Sequence, residues 1–263
     1  KGGLKDRKTR LNFTFNGQAM SGYEGDTLAS ALLASGTRII GRSFKYHRPR
    51  GIFATGVEEP NALVQLERGP RTLPNQQATR ISLYDGLIAD SINCWPSPDY
   101  DAMSILGLFY RLIPAGFYYK TFMRPATAWR FYEYFIRHAA GLGCAPTEPD
   151  PDHYDKMNAH CDVLIVGAGP AGLTAALGAT RSGARVILVD EQDQIGGWLL
   201  NENRIINGQP SKEWLNAAFL ELNDTADAQI LTKTTAFGYF DHNFIALCEH
   251  RGPTQVNGNG LSR

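Results

Sequence analysis

Residues 162–191 read DVLIVGAGPAGLTAALGATRSGARVILVDE, and this stretch decides the fold. Residues 163–166 form a continuous apolar run, as expected for a parallel strand covered on both faces. Gly167, Gly169 and Gly172 then supply G-x-G-x-x-G at a strand-to-helix turn. The first glycine permits a tight turn, the second lets backbone approach a pyrophosphate, and the third lets helix and strand pack closely. Amides at the start of the following helix, and its positive dipole end, face the ligand phosphates. A second strand over 185–189 ends at Asp190, eighteen residues past Gly172, where a carboxylate can accept from ribose hydroxyls. Strand, glycines, helix, strand and acid stand in register, so an adenine dinucleotide is expected. Asp190 and Glu191 disfavour a 2′-phosphate, which leaves NAD or FAD rather than NADP.

Working outward, QDQIGGWLL follows Glu191, and a glycine pair there lets the chain pass close to the ligand. The residues expected to line the site are Gly167, Ala168, Gly169, Pro170, Ala171, Gly172, Asp190, Glu191, Gln192, Gly197 and Trp198. Farther on, TKTTAFGYFDHNFIAL alternates as a hairpin turning at Asp241-His242-Asn243. Ala236, on its first strand, is the candidate contact to the adenine. The glycine- and asparagine-rich tail from 252 carries no core pattern, so the dinucleotide domain, 160–263, reads as incomplete.

Ahead of it, 11–15 alternates as a half-buried strand, Asn16-Gly17 suits a type I′ turn, and 18–23 returns. Asp26 is placed to cap a helix over 27–34, with Gly36 at its left-handed C′ position. Further strands are expected at 61–66 and 80–84. Two strands and a helix open a β-grasp, ferredoxin-like module, assigned to 10–95. Its basic loop from Arg38 to Arg50 suits a phosphate or an acidic surface, or else pairs with Glu58, Glu59 and Glu67. Residues 96–155 read as an aromatic-rich helical connector that packs on another domain or subunit, ending in a proline- and acid-rich linker.

Composition bounds the function. Twenty-six basic and 26 acidic residues in 263 give no net charge, which argues against nucleic acid or an anionic membrane as the main partner. Cys94, Cys144, Cys161 and Cys248 show no C-x-x-C spacing, so neither zinc site nor redox dithiol is expected. Four reduced thiols suit a cytoplasmic protein. The most apolar stretch, 102–122, is broken by Arg111, Pro114 and Lys120 and makes no comfortable membrane span. The six histidines lack a partner at defined spacing, and G-x-S-x-G does not occur. No catalytic residue is assigned and no metal is expected; the chemistry belongs to a cofactor or to parts outside the chain.

Three stretches, GRSFKYHRPRGIFATGVEEPNALVQL (41–66), AGFYYKTFMRPATAWRFYE (115–133) and the glycine motif ending in VDEQ (189–192), together resemble the α subunit of heterotetrameric sarcosine oxidase. The resemblance implies a non-catalytic NAD held by Gly167, Gly169, Ala171, Gly172, Asp190 and Glu191, with Gln192 and Trp198 nearby. It implies β and smaller subunits as partners, FAD in the β subunit as the site of amine oxidation, and covalent FMN at the subunit interface. Sarcosine and tetrahydrofolate bind outside this chain. The products implied are glycine, hydrogen peroxide, and 5,10-methylenetetrahydrofolate or formaldehyde, with oxygen as acceptor. On this reading the chain is a front part, inactive alone. The alternatives are an FAD-binding α subunit of a dye-linked amino-acid or opine dehydrogenase, and a non-catalytic nucleotide-binding scaffold. The N-terminal module resembles two-iron, two-sulfur ferredoxins, yet no cysteine precedes Cys94. Cluster binding needs four thiolates, so a module without a cluster is expected. The fold class is therefore α+β for the ferredoxin-like module and α/β for the partial Rossmann-type domain, of the two-dinucleotide flavoprotein type.

Overall fold

The computed structural model describes residues 7–111, 116, 124–139, 143–152, 154–250, 254–256 and 260–262. The chain divides into two compact units, 1–150 and 151–263, each treated by itself.

In the first unit, β1 (Arg10–Phe15) pairs antiparallel with β2 (Gln18–Tyr23), closing at Phe15 and Gln18. Asn16 and Gly17 hold φ values of 51° and 77°, the two positive angles that a type I′ turn demands. Helix α1 (Leu28–Ala34) follows. Its N-cap is Thr27, not the expected Asp26: Thr27 Oγ1 accepts from the Ser30 amide at 3.1 Å, and Ser30 Oγ accepts from the Thr27 amide at 3.0 Å. The reciprocal hydroxyl pair takes the cap one residue later. Asp26 instead accepts from the Tyr23 amide and the Ser30 hydroxyl, bracing the strand-to-helix corner. Gly36, at φ 84°, ends the helix as expected.

Next comes a two-residue ladder of β3 (Gly41–Arg42) and β4 (Pro49–Arg50), bounding the basic loop. Strands β5 (Leu63–Leu66), β6 (Leu73–Gln77) and β7 (Leu87–Ser91) complete a mixed sheet of order β2-β1-β7-β5-β6. The pair β1–β7 is parallel and the others are antiparallel. The strand expected at 80–84 is not formed. Its backbone serves the start of α1 instead, Ile81 O accepting from the Leu28 amide and the Leu83 amide donating to Asp26 O, both at 2.8 Å. Ile81 and Leu83 pack on the core, which accounts for the alternation. Leu28, Ala31 and Leu32 bury one stripe of α1 with Phe13, Phe15, Val64 and Leu87. Each large apolar side chain so buried contributes roughly 1.5–3 kcal/mol.

In the connector, Asp101 caps a 3₁₀ helix, Ala102–Phe109, and α2 spans Trp129–Ala139. Phe131, Tyr134 and Phe135 on α2 are exposed, as are Ile105 and Leu108. Within this chain these side chains are uncovered, and Phe131 and Phe135 meet edge to face with ring centroids 4.8 Å apart. Phe117, Tyr118 and Tyr119 lie outside the described residues. Among the described residues, no helix is long and apolar enough to cross a membrane.

The second unit begins with β8 (Val163–Val166), α3 (Pro170–Arg181) and β9 (Val186–Val189). A hairpin of β10 (Ile205–Ile206) and β11 (Gln209–Pro210) leads into α4 (Ser211–Asp224), followed by β12 (Ala228–Leu231). The sheet is parallel, in the order β12-β9-β8. Leu173, Ala176 and Leu177 of α3 join Trp214, Leu215, Ala218 and Leu222 of α4 in its core. Arg181 reaches Glu221 at 2.6 Å between the helices. A hairpin of β13 (Thr234–Phe240) and β14 (Phe244–Glu249) turns at 241–243, where His242 and Asn243 have positive φ.

Candidate dinucleotide-binding site

The glycine turn sits at the carboxyl end of β8, where open α/β sheets carry their ligands. Gly167 has φ 101°, and its amide donates to Val189 O at 2.7 Å, locking the turn onto the neighbouring strand. A Cβ on Gly172 would lie 1.8 Å from Gly167 O, so only glycine lets α3 approach this closely. At Gly169 a Cβ would meet nothing within 4 Å: this glycine leaves space in front of the turn.

Helix α3 starts at Pro170, which needs no amide partner at that position, and no side chain caps its N terminus. The first helical amides, at Ala171 and Gly172, therefore stay available to an anion. The residues fit the pyrophosphate of a dinucleotide.

Asp190 is held by backbone at both carboxylate oxygens. Oδ2 accepts from the Ala168 amide at 2.6 Å and Oδ1 from the Gln192 amide at 2.8 Å. An ionised carboxylate offers about four acceptor positions, so two remain for sugar hydroxyls. The buried Ala168 also accepts from the Gly196 amide at 2.8 Å, bringing the glycine pair against the phosphate turn. A Cβ on Gly197 would stand 3.2 Å from Gly169 Cα. Thus Gly167 to Gly172, Asp190, Gln192 and Gly197 converge. Glu191 is half-buried beside them. Trp198 is exposed and lies under the Arg204 guanidinium at 4.9 Å, a contact that sequence spacing did not reveal. Ala236 pairs with Leu247 beside a bulge. Its strand starts near the site, with Thr234 donating to Asp190 O at 2.8 Å and Lys233 to Gln192 O at 2.9 Å.

At the opposite end of the strands, Arg185 grips Asp162 through two bonds of 2.7 and 3.0 Å. The guanidinium holds that carboxyl down to about 2.

In the first unit, the basic loop does not pair with Glu59 or Glu67 as the second expectation had it. Arg42 donates to the carbonyls of Pro98, His47 and Asp99, and Arg50 to Asn61 Oδ1. His47, buried at φ 49°, pairs with buried Asp101 at 2.7 Å. Glu67 takes the Tyr84 hydroxyl, and Glu59 takes backbone amides. Among the described residues, no group of three His, Cys, Asp or Glu side chains could hold a metal ion.

Two family models match. Residues 8–93 match a 2Fe-2S iron-sulfur cluster binding domain, and residues 162–239 an FAD dependent oxidoreductase. Over 95% of its length, the chain is 54% identical to sarcosine oxidase subunit alpha of Rhizobium meliloti (strain 1021), covering 25% of that protein. The chain is a homologue of sarcosine oxidase alpha subunits. It is 36% identical, over 98% of its length, to the alpha subunit of Corynebacterium sp. (strain U-96), covering 22% of it. The chain thus spans about a quarter of the length of these relatives. The crystal structure of L-proline dehydrogenase from P. horikoshii matches 93% of this chain and 38% of its own, with TM-score 0.55 and 20% identity, a likeness of fold. The matched segments are thus a ferredoxin-like domain and a flavoprotein-type domain, and the relatives carry names of oxidase subunits. The segment 8–93 contains no cysteine, so its donor set does not fit an iron–sulfur cluster.

Proposed function

We propose that this chain is the dinucleotide-holding front part of a sarcosine oxidase alpha subunit, and that the dinucleotide is NAD. The observation that carries the reading is an uncapped helix N terminus behind Gly167–Gly172, with Asp190 pinned beside the turn. Amides of Ala171 and Gly172 meet the pyrophosphate, Asp190 the adenosine ribose, and Glu191, Gln192, Gly197, Trp198 and Ala236 line the approach. When bound, NAD offers a hydride-accepting ring; this site's residues bind and orient, and none is placed as an acid or base.

Catalysis belongs to flavin in a partner subunit. There sarcosine is demethylated to glycine, oxygen is reduced to hydrogen peroxide, and the methyl carbon passes to tetrahydrofolate or leaves as formaldehyde. The working domains are 10–95, a connector 96–155, and 160–263. The setting proposed is cytoplasmic, since four cysteines without C-x-x-C spacing suit a reducing compartment.

The second reading, FAD in the same crevice, is favoured by the family model over 162–239. Denaturing the purified complex and identifying every released nucleotide, chain by chain, separates the two. NAD on the alpha chain is expected; FAD there without NAD overturns the first reading.

A further inference from the structure

The loop joining β4 to β5 turns its backbone amides inward onto one side chain. Glu59 is 1% exposed and folds back into the loop. Its Oε2 accepts from the amides of Phe53 and Ala54 at 2.6 and 2.5 Å. Its Oε1 accepts from those of Asn61 and Ala62 at 2.7 and 3.0 Å. The wall is closed by Gln77, which donates to Glu59 O at 2.8 Å, and by buried Thr79, whose hydroxyl donates to Gly56 O at 2.7 Å. Four amides on a single buried carboxylate make an anion nest with its anion built in.

The position of that nest is the second observation. The unit matches a cluster-binding fold, and plant-type clusters take three thiolates spaced C-x₄-C-x₂-C, plus a fourth from outside the loop. Started at Ala54, that spacing runs through Glu59 and Ala62. Those same three residues meet at the nest: two lend amides and the middle one lends the carboxylate. Buried Thr79, two residues past the end of β6, reaches the same loop through Gly56 O and is the candidate for the position outside it.

We propose that the Glu59 carboxylate is a resident anion occupying the place of an iron–sulfur cluster, so that the loop keeps its cluster-wrapping shape without metal. The unit is then redox-silent, and electrons do not pass through it. A loop that only lost its thiols would leave four inward amides without an acceptor, and buried donors of that kind are costly. Glu59 removes that cost with one side chain.

Two experiments on the full-length alpha chain in its complex decide the matter. In Glu59→Gln, hydrogen exchange at the amides of residues 53, 54, 61 and 62 should rise about tenfold or more, while β1 and β2 keep their protection. Unchanged exchange at those four amides overturns the proposal. In the second, Ala54→Cys, Glu59→Cys, Ala62→Cys and Thr79→Cys are combined and the complex is reconstituted anaerobically with ferrous iron and sulfide. About two irons and two sulfides per alpha chain are expected, with a paramagnetic signal on reduction, and none in the natural sequence treated alike. A cluster in the natural complex, or a folded quadruple variant that takes up no iron, overturns it. If the quadruple variant does not fold, the exchange result on Glu59→Gln alone decides. Nucleotide content reports on the second unit, so failure here is distinct from failure of the NAD assignment.

Discussion

Asp190 joins the site to the backbone that shapes it. Its carboxylate holds the amides of Ala168 and Gln192, so the ribose contact proposed for it would be preorganised. Asp190→Ala should weaken nucleotide binding by about 1–3 kcal/mol and loosen the glycine turn as well. Isothermal titration of the nucleotide-stripped complex measures it, and unchanged affinity contradicts the role. Glu59 contributes a pH dependence to the other unit. Burial alone would raise its pKa; the four amides outweigh that and hold the carboxyl below its usual range. The folded value is depressed, so the stabilisation is complete above the unfolded value of about 4.3 and is lost as pH falls through the folded one. A melting curve recorded from pH 7 to pH 3 should show this acid loss in the natural chain and a smaller one in Glu59→Gln.

Elements deliver these residues through close contact. Helix α3 reaches β8 only because position 172 has no Cβ; the nearest obstacle is a backbone carbonyl, which cannot rotate away. Gly172→Ala should therefore cost roughly 1–3 kcal/mol, as overpacking does, and deplete bound nucleotide in the purified complex. Denaturant midpoints and nucleotide content check the two effects separately. The start of β13 supports Asp190 from behind through the Thr234 amide, so the hairpin contributes to the site without needing a side chain there. The ion pair between Arg181 and Glu221 is exposed on both sides, and its loss should matter little at physiological salt.

At the scale of the whole molecule, the proposed function gives this chain a dinucleotide cradle and places the acid–base chemistry elsewhere. The isolated chain, given sarcosine and oxygen, should form no peroxide above background, whereas the assembled complex should. A peroxide assay on both samples tests this, and turnover by the chain alone would move catalysis into it.

The sequence by itself determined the βαβ unit, the glycine turn and the first hairpin, and it nominated the candidate site residues from Gly167 to Asp190. Those features depend on local rules: side-chain periodicity, positive φ at Asn16, Gly17 and Gly167, and steric room at Gly172. Only the tertiary structure decided what distant groups do with one another. Thr27 caps α1 because Ser30 answers it, and 80–84 forms no strand because residues 26–28 take its backbone bonds. His47 finds Asp101 across 54 positions, and Glu59 serves amides rather than the neighbouring arginines. A polar group's partner is set by which chain segments packing brings within about 3 Å, and no spacing rule along one strand of sequence encodes that.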